Sequence, residues 1–188
     1  KDMSIEDATY VSFDLETTGF SVIHDGITEF GAVKIKNGEV IDRLQSFVNP
    51  GKKIGTRVSQ LTNITNEMVA DAPTIKEFLP QILEFFGDAI LVAHNAKFDI
   101  GFLNESLKRL NQKPITNPVI DSLALARAIM KPMKSYRLGN VCRVYRVNYD
   151  DDVAHRADYD AEVLGAVFTT MLHSIMQSGN YNLHDLNK

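Results

Sequence analysis

A single cysteine, Cys142, stands among 188 residues, so no internal disulfide can form and the chain suits a reducing compartment. Its helical surroundings make Cys142 a small core residue. No apolar run approaches the roughly 20 residues needed to cross a bilayer. The opening Lys1-Asp-Met-Ser-Ile-Glu-Asp7 resembles neither a signal peptide nor a transit peptide. These absences predict a cytoplasmic protein with no membrane partner. Residues 8–178 contain no internal repeat, low-complexity tract or linker, which predicts one domain there, with flanking tails at 1–7 and 179–188. A chain that opens on Lys1 and not on Met reads as a segment of a longer protein. Positive charge is not in excess either. The 20 Lys and Arg are outnumbered by 24 Asp and Glu, and a formal net charge of −4 argues against an indiscriminate nucleic-acid binder.

The charge that is present is unevenly spread. Between Ser106 and Tyr149 stand Lys108, Arg109, Lys113, Arg127, Lys131, Lys134, Arg137, Arg143 and Arg146, with Asp121 the only acid. Solvated helix surface accounts for some of these cations, but such a margin also suits a polyanionic substrate. Along the chain, Val11, Phe13 and Leu15 alternate with Ser12, Asp14 and Glu16, the period of a strand. A second strand, Ile27 to Lys36, meets a third, Glu39 to Val48, across Asn37-Gly38, a strong signal for a tight hairpin. Short helices are expected near Ser59 and Thr65. Thr74 and Glu77 form a capping box for a helix that Gly87 stops. Then come a short strand at 89–92, a helix from about 96 to 110, and a short strand at 119–120. Helices near 123–130, 136–145 and 157–176 complete the pattern. Strands first and helices interleaved later predict an α/β fold with a mixed sheet.

Four acids occupy positions where acids are costly. Asp14 and Glu16 share one face of the first strand, about 6 to 7 Å apart. Asp99 lies on the stripe of Phe102 and Leu103, and Asp160 on that of Leu164 and Val167. A lone Asp-x-Glu is usually a solvated strand face, and a lone first-turn acid usually answers a helix dipole. Together, with His155 five residues before Asp160, they point to an acidic pocket for divalent cations in a metal-dependent phosphodiester hydrolase. Ligation by oxygen alone suits Mg²⁺ or Mn²⁺ and not structural zinc.

Asp14-Leu-Glu-Thr-Thr-Gly19, His94-Asn-Ala-Lys-Phe-Asp99 and His155-Arg-Ala-Asp-Tyr-Asp-Ala161 resemble, in order and spacing, the three motifs of the DnaQ-like 3′–5′ exonucleases with four acids and a histidine. The intervening text is most similar to the proofreading domain of PolC-type replicative DNA polymerases. The resemblance implies an RNase H-like fold, a mixed sheet flanked by helices, with two Mg²⁺ or Mn²⁺ ions held by Asp14, Glu16, Asp99 and Asp160. It makes His155 the base that takes the water's proton. Thr17, Thr18, Gly19 and Phe20 would hold the terminal nucleotide, the threonines through backbone and hydroxyls, and Asn95 and Phe98 would line its pocket. Where Phe20 stands the family more often has Leu or Met. His94 belongs to the motif without an assigned task, and His24, His173 and His184 read as surface residues. The implied function is removal of mispaired nucleotides from a single-stranded or frayed DNA 3′ end, with a DNA polymerase in cis or in trans. A 3′–5′ exoribonuclease of the same fold, or a non-catalytic nucleic-acid binding module, are the alternatives.

Overall fold

The computed structural model describes residues 7–177, so the tails, including His184, lie outside the described residues apart from Asp7. Five strands form one sheet in the order β3-β2-β1-β4-β5: β1 Thr9–Thr17, β2 Ile27–Lys36, β3 Glu39–Phe47, β4 Ile90–Ala93 and β5 Val119–Asp121. The first three are antiparallel; β4 runs parallel to β1, and β5 parallel to β4. Between β3 and β4 lie α1 Thr56–Thr62, α2 Asn66–Ala70 and α3 Ile75–Phe86. Then follow α4 Ala96–Arg109, α5 Ser122–Ile129, α6 Leu138–Val144 and α7 Ala157–Gln177.

The alternation of β1 decides which layer each helix joins. Val11, Phe13 and Leu15 point into one core, against Phe78, Ile82 and Phe86 of α3 and Phe102, Leu103 and Leu107 of α4. Tyr10 points the other way, into a second core with Val33 and Ile35 of β2 and Leu164, Val167, Phe168 and Met171 of α7. The acids Asp14 and Glu16 share that second face, so this strand is covered on both sides.

Helix α7 lies unusually near the sheet. Its first turn depends on glycine at position 31, where the obstacle would be backbone, while at position 165 it would be the end of a side chain. A Cβ on Gly31 would lie 2.1 Å from the Asp158 amide nitrogen, and one on Gly165 would lie 2.5 Å from Ile35 Cδ1. Between them the buried Ser12 hydroxyl donates to the Ala161 carbonyl at 2.8 Å. Pairing of β1 with β4 runs from Tyr10 to Ser12. Beyond it, the carboxyl ends of the parallel strands open a crevice, the usual ligand position in α/β sheets.

Candidate active site

The crevice gathers acids from three elements. Strand β1 supplies Asp14 and Glu16, the first turn of α4 supplies Asp99, and the first turn of α7 supplies Asp160. Asp99 and Asp160 are buried, at 3% and 7% exposure. Ligand atoms of Glu16, His155 and Asp160 lie within 4.8 Å of one another. Burial, then repulsion from Asp99, Glu16 and Asp160, pushes the Asp14 carboxyl well above its usual range. Asp99 is raised likewise by burial and then by Glu16 and Asp121. Burial and the negative charges of Asp160 and Glu29 lift Glu16 to about 8. Asp160 also rises through burial, although hydrogen bonds from Tyr149 and His155 oppose the shift. Like charges compressed in this way favour either protons or a cation.

The loop that carries His155 is anchored by the neighbouring strand, on the face of the sheet that Glu16 shares. Glu29 of β2, 1% exposed, accepts the Ala157 N–H through Oε1 at 3.1 Å and the Gln45 amide through Oε2 at 2.9 Å. It thereby serves as a cap for α7 from 128 residues away. Arg156 approaches the same carboxylate at 3.6 Å, donates to the Thr62 carbonyl, and lies over the Phe47 ring. His155 itself is exposed and takes a left-handed backbone, φ 72°, which turns the chain into α7. Its N–H donates to Asp160 Oδ1 at 3.3 Å, and the Tyr149 hydroxyl donates to the same oxygen at 3.0 Å. The three motifs carry no hint of Glu29 or Tyr149, because each acts across the fold. A buried glutamate in an otherwise apolar strand was the one available sign of the former.

The β1–β2 loop forms the opposite wall. Thr17 and Thr18 are buried and their hydroxyls turn inward: Thr17 Oγ1 donates to the Gly19 carbonyl, and Thr18 Oγ1 to Asp25 Oδ1 at 2.9 Å. These bonds stiffen the loop. Asp25 also accepts the Ser21 N–H at 2.9 Å and pairs with Lys52 at 3.1 Å. A Cβ on Gly19 would lie 2.4 Å from Asp25 Oδ2, so that carboxylate requires glycine there. Phe20 is 89% exposed, with its ring 6.2 Å from Phe98, which in turn packs 4.9 Å from Phe102. Phe98 therefore both joins the core and backs an exposed aromatic edge. Asn95, exposed and left-handed at φ 72°, heads α4, and its N–H donates to Asp121 Oδ1 at 2.9 Å.

His94 has a structural task. Its Nε2 lies 2.6 Å from the Tyr136 carbonyl, which can only accept, so Nε2 carries the proton. Burial lowers its pKa, leaving Nδ1 to accept the Ser122 hydroxyl at 2.9 Å. The imidazole thus ties the end of β4 to the segment entering α6. His24 and His173 are exposed.

Residues 11–168 match the RNase_T family model, described as exonuclease. The chain belongs to this exonuclease family. It is 46% identical over 190 residues to the PolC-type DNA polymerase III of Ureaplasma parvum serovar 3, matching 100% of this chain and 13% of that protein. The PolC-type polymerase III of Bacillus cereus is 41% identical over 181 residues, 96% of this chain and 12% of the relative. This exonuclease domain therefore spans only a small part of the curated relatives it matches. Among solved structures, exonuclease X in complex with 5′-overhanging duplex DNA superposes with a TM-score of 0.75 at 24% identity, covering 95% of this chain and 99% of that one. The fold is thus the RNase H-like fold of these exonucleases, as the sequence implied. Among the described residues no helix is long and apolar enough to cross a membrane.

Proposed function

We propose that this domain is a metal-dependent 3′–5′ exodeoxyribonuclease that releases nucleoside monophosphates and removes mispaired termini for a replicative polymerase. One observation carries the reading: four carboxylates whose pKa values are raised, first of all by burial, share the crevice at the sheet's carboxyl end, where Glu16 and Asp160 lie beside His155. The donor set fits hard divalent ions, Mg²⁺ or Mn²⁺, because it offers carboxylate oxygens and its crowding is relieved by positive charge. Asp14, Glu16, Asp99 and Asp160 would hold two such ions. When bound, they supply Lewis-acid activation of water and neutralise charge at the phosphate and leaving oxygen.

The remaining work falls to the chain itself. His155, at the open edge of the cluster, takes the proton of the attacking water on an imidazole nitrogen. The Asp160 carboxylate holds the His155 backbone through the N–H bond at 3.3 Å and thereby fixes where that base stands. The terminal nucleoside lies against the stiffened Thr17–Phe20 loop. Phe20 meets the base, and Asn95 and Phe98 border its pocket. Similarity to DNA polymerases favours DNA over RNA as the strand.

The test is mononucleotide release from 5′-labelled strands with and without Mg²⁺, on DNA and RNA and on paired and mispaired ends. Metal-dependent trimming from the 3′ end of DNA is expected. A clear preference for RNA would move the domain to the exoribonucleases, and binding without hydrolysis would make it a docking module.

A further inference from the structure

The acids separate two unlike walls. On one side stand Phe20 and Phe98. On the other a cleft of about 540 Å³ runs from Asp14, His155 and Asp160 to Arg137, Asn140 and Arg143. Arg137 and Arg143 are exposed, and among the described residues neither has a carboxylate within ion-pairing distance. Arg143 Nη1 donates to Asn140 Oδ1 at 3.2 Å, which steadies the Arg143 guanidinium at the edge of the cleft. The wall beneath them is fixed. Val141 and Cys142 are buried, a Cβ on Gly139 would meet the Tyr149 ring at 3.2 Å, and His94 holds the Tyr136 carbonyl one residue before Arg137.

If a terminal nucleoside rests on the aromatic wall and its scissile phosphate at the acids, the rest of the strand must leave on the opposite side. There it passes Asp14, Asp151 and Asp160, which also line the cleft and repel a polyanion. Two unpaired guanidinium groups, forked to match phosphate oxygens, answer that repulsion. We propose that this cleft is a strand subsite in which Arg137 and Arg143 hold the phosphodiesters immediately 5′ of the scissile bond. The inference rests on the exonuclease reading and adds where the uncut strand lies.

Two substrates separate the subsite from the chemistry. The p-nitrophenyl ester of thymidine 5′-monophosphate has no upstream phosphate; a 5′-labelled DNA hexanucleotide has several. For the R137A/R143A double variant, KM on the hexanucleotide should rise about tenfold per arginine. The slope of log KM against log salt should become shallower by about 0.7 for each lost single-strand contact. Hydrolysis of the ester should be unchanged. Fluorescence anisotropy with the hexanucleotide in metal-free buffer should show the same loss of affinity, and Arg143→Lys should restore part of it. Unchanged KM and salt slope on the hexanucleotide would overturn the subsite, as would an equal loss on both substrates. A parent protein that hydrolysed neither substrate would instead sink the exonuclease reading, and the anisotropy measurement would still decide the subsite.

Discussion

Asp14 and Asp99 are held where their charges conflict, and that conflict makes opposite predictions for activity and stability. Asp14→Ala or Asp99→Ala should remove most Mg²⁺-dependent turnover, because a water in place of the carboxylate brings no negative charge with which to hold and orient the ion. The same variants should melt at a higher temperature than the parent in EDTA, since repulsion within the cluster is relieved. The pH dependence follows from the raised carboxyl groups. A folded-state pKa above the unfolded value contributes stability that is present below the unfolded pKa and lost as pH rises through the folded one. For Glu16 that window runs from about 4.5 to about 8. Metal-free protein should therefore lose stability across this range, and Mg²⁺ at neutral pH should restore it with release of protons, measurable by calorimetry in two buffers of different ionisation enthalpy. His155→Ala should lower kcat by roughly 10²–10⁴ while leaving the melting curve in place. If its pH–rate profile matched the parent's, the base would be another group. Tyr149→Phe removes one donor from Asp160 Oδ1 and should weaken Mg²⁺ binding by about 10-fold or more, the usual cost of losing an outer partner of a metal ligand.

The N-terminus of α7 is where one element positions the chemistry of another. Glu29 takes the Ala157 N–H, and Gly31 beside it leaves room for the Ala157–Asp158 backbone. Glu29→Ala leaves the buried Ala157 N–H without its acceptor, so denaturant unfolding should show a loss of about 1–3 kcal/mol. Glu29→Gln keeps an acceptor for the amide and should lose less. If the two variants were equally stable, the capping contact would be unimportant. Much about the elements was already readable from the sequence. Asn37 and Gly38 have the φ values of 54° and 78° that their hairpin turn demands, and Thr74 and Glu77 cap α3 as expected. Such signals act between near neighbours in the chain. The inward turn of the Thr18 hydroxyl was not readable, because it depends on Asp25 returning from the end of a loop with no regular period.

At the scale of the whole molecule, the proposed activity requires the terminal nucleotide to be unstacked before it enters an acidic crevice flanked by Phe20. A mispaired end costs less to unpair than a paired one, by up to a few kcal/mol. Mispaired duplex termini should therefore be trimmed faster than paired ones at one salt concentration. Equal rates would reject proofreading. The net charge of −4 predicts modest affinity for DNA by the isolated domain, increasingly weak as salt is added.

Periodicity, caps and turns are short-range properties, so the elements, their order, and the acids and histidine to watch could all be read before any fold was known. Asp99 and Asp160 could be placed on buried stripes by counting helix positions alone. What brings them to Asp14 and Glu16 is tertiary. Parallel β1 and β4 open a crevice at their ends, and Gly31 lets the first turn of α7 close on the sheet. The tasks of Glu29, Tyr149 and His94 likewise exist only in the folded chain. Each is a hydrogen bond between groups that no local pattern relates, and burial is what makes leaving it unmade so costly.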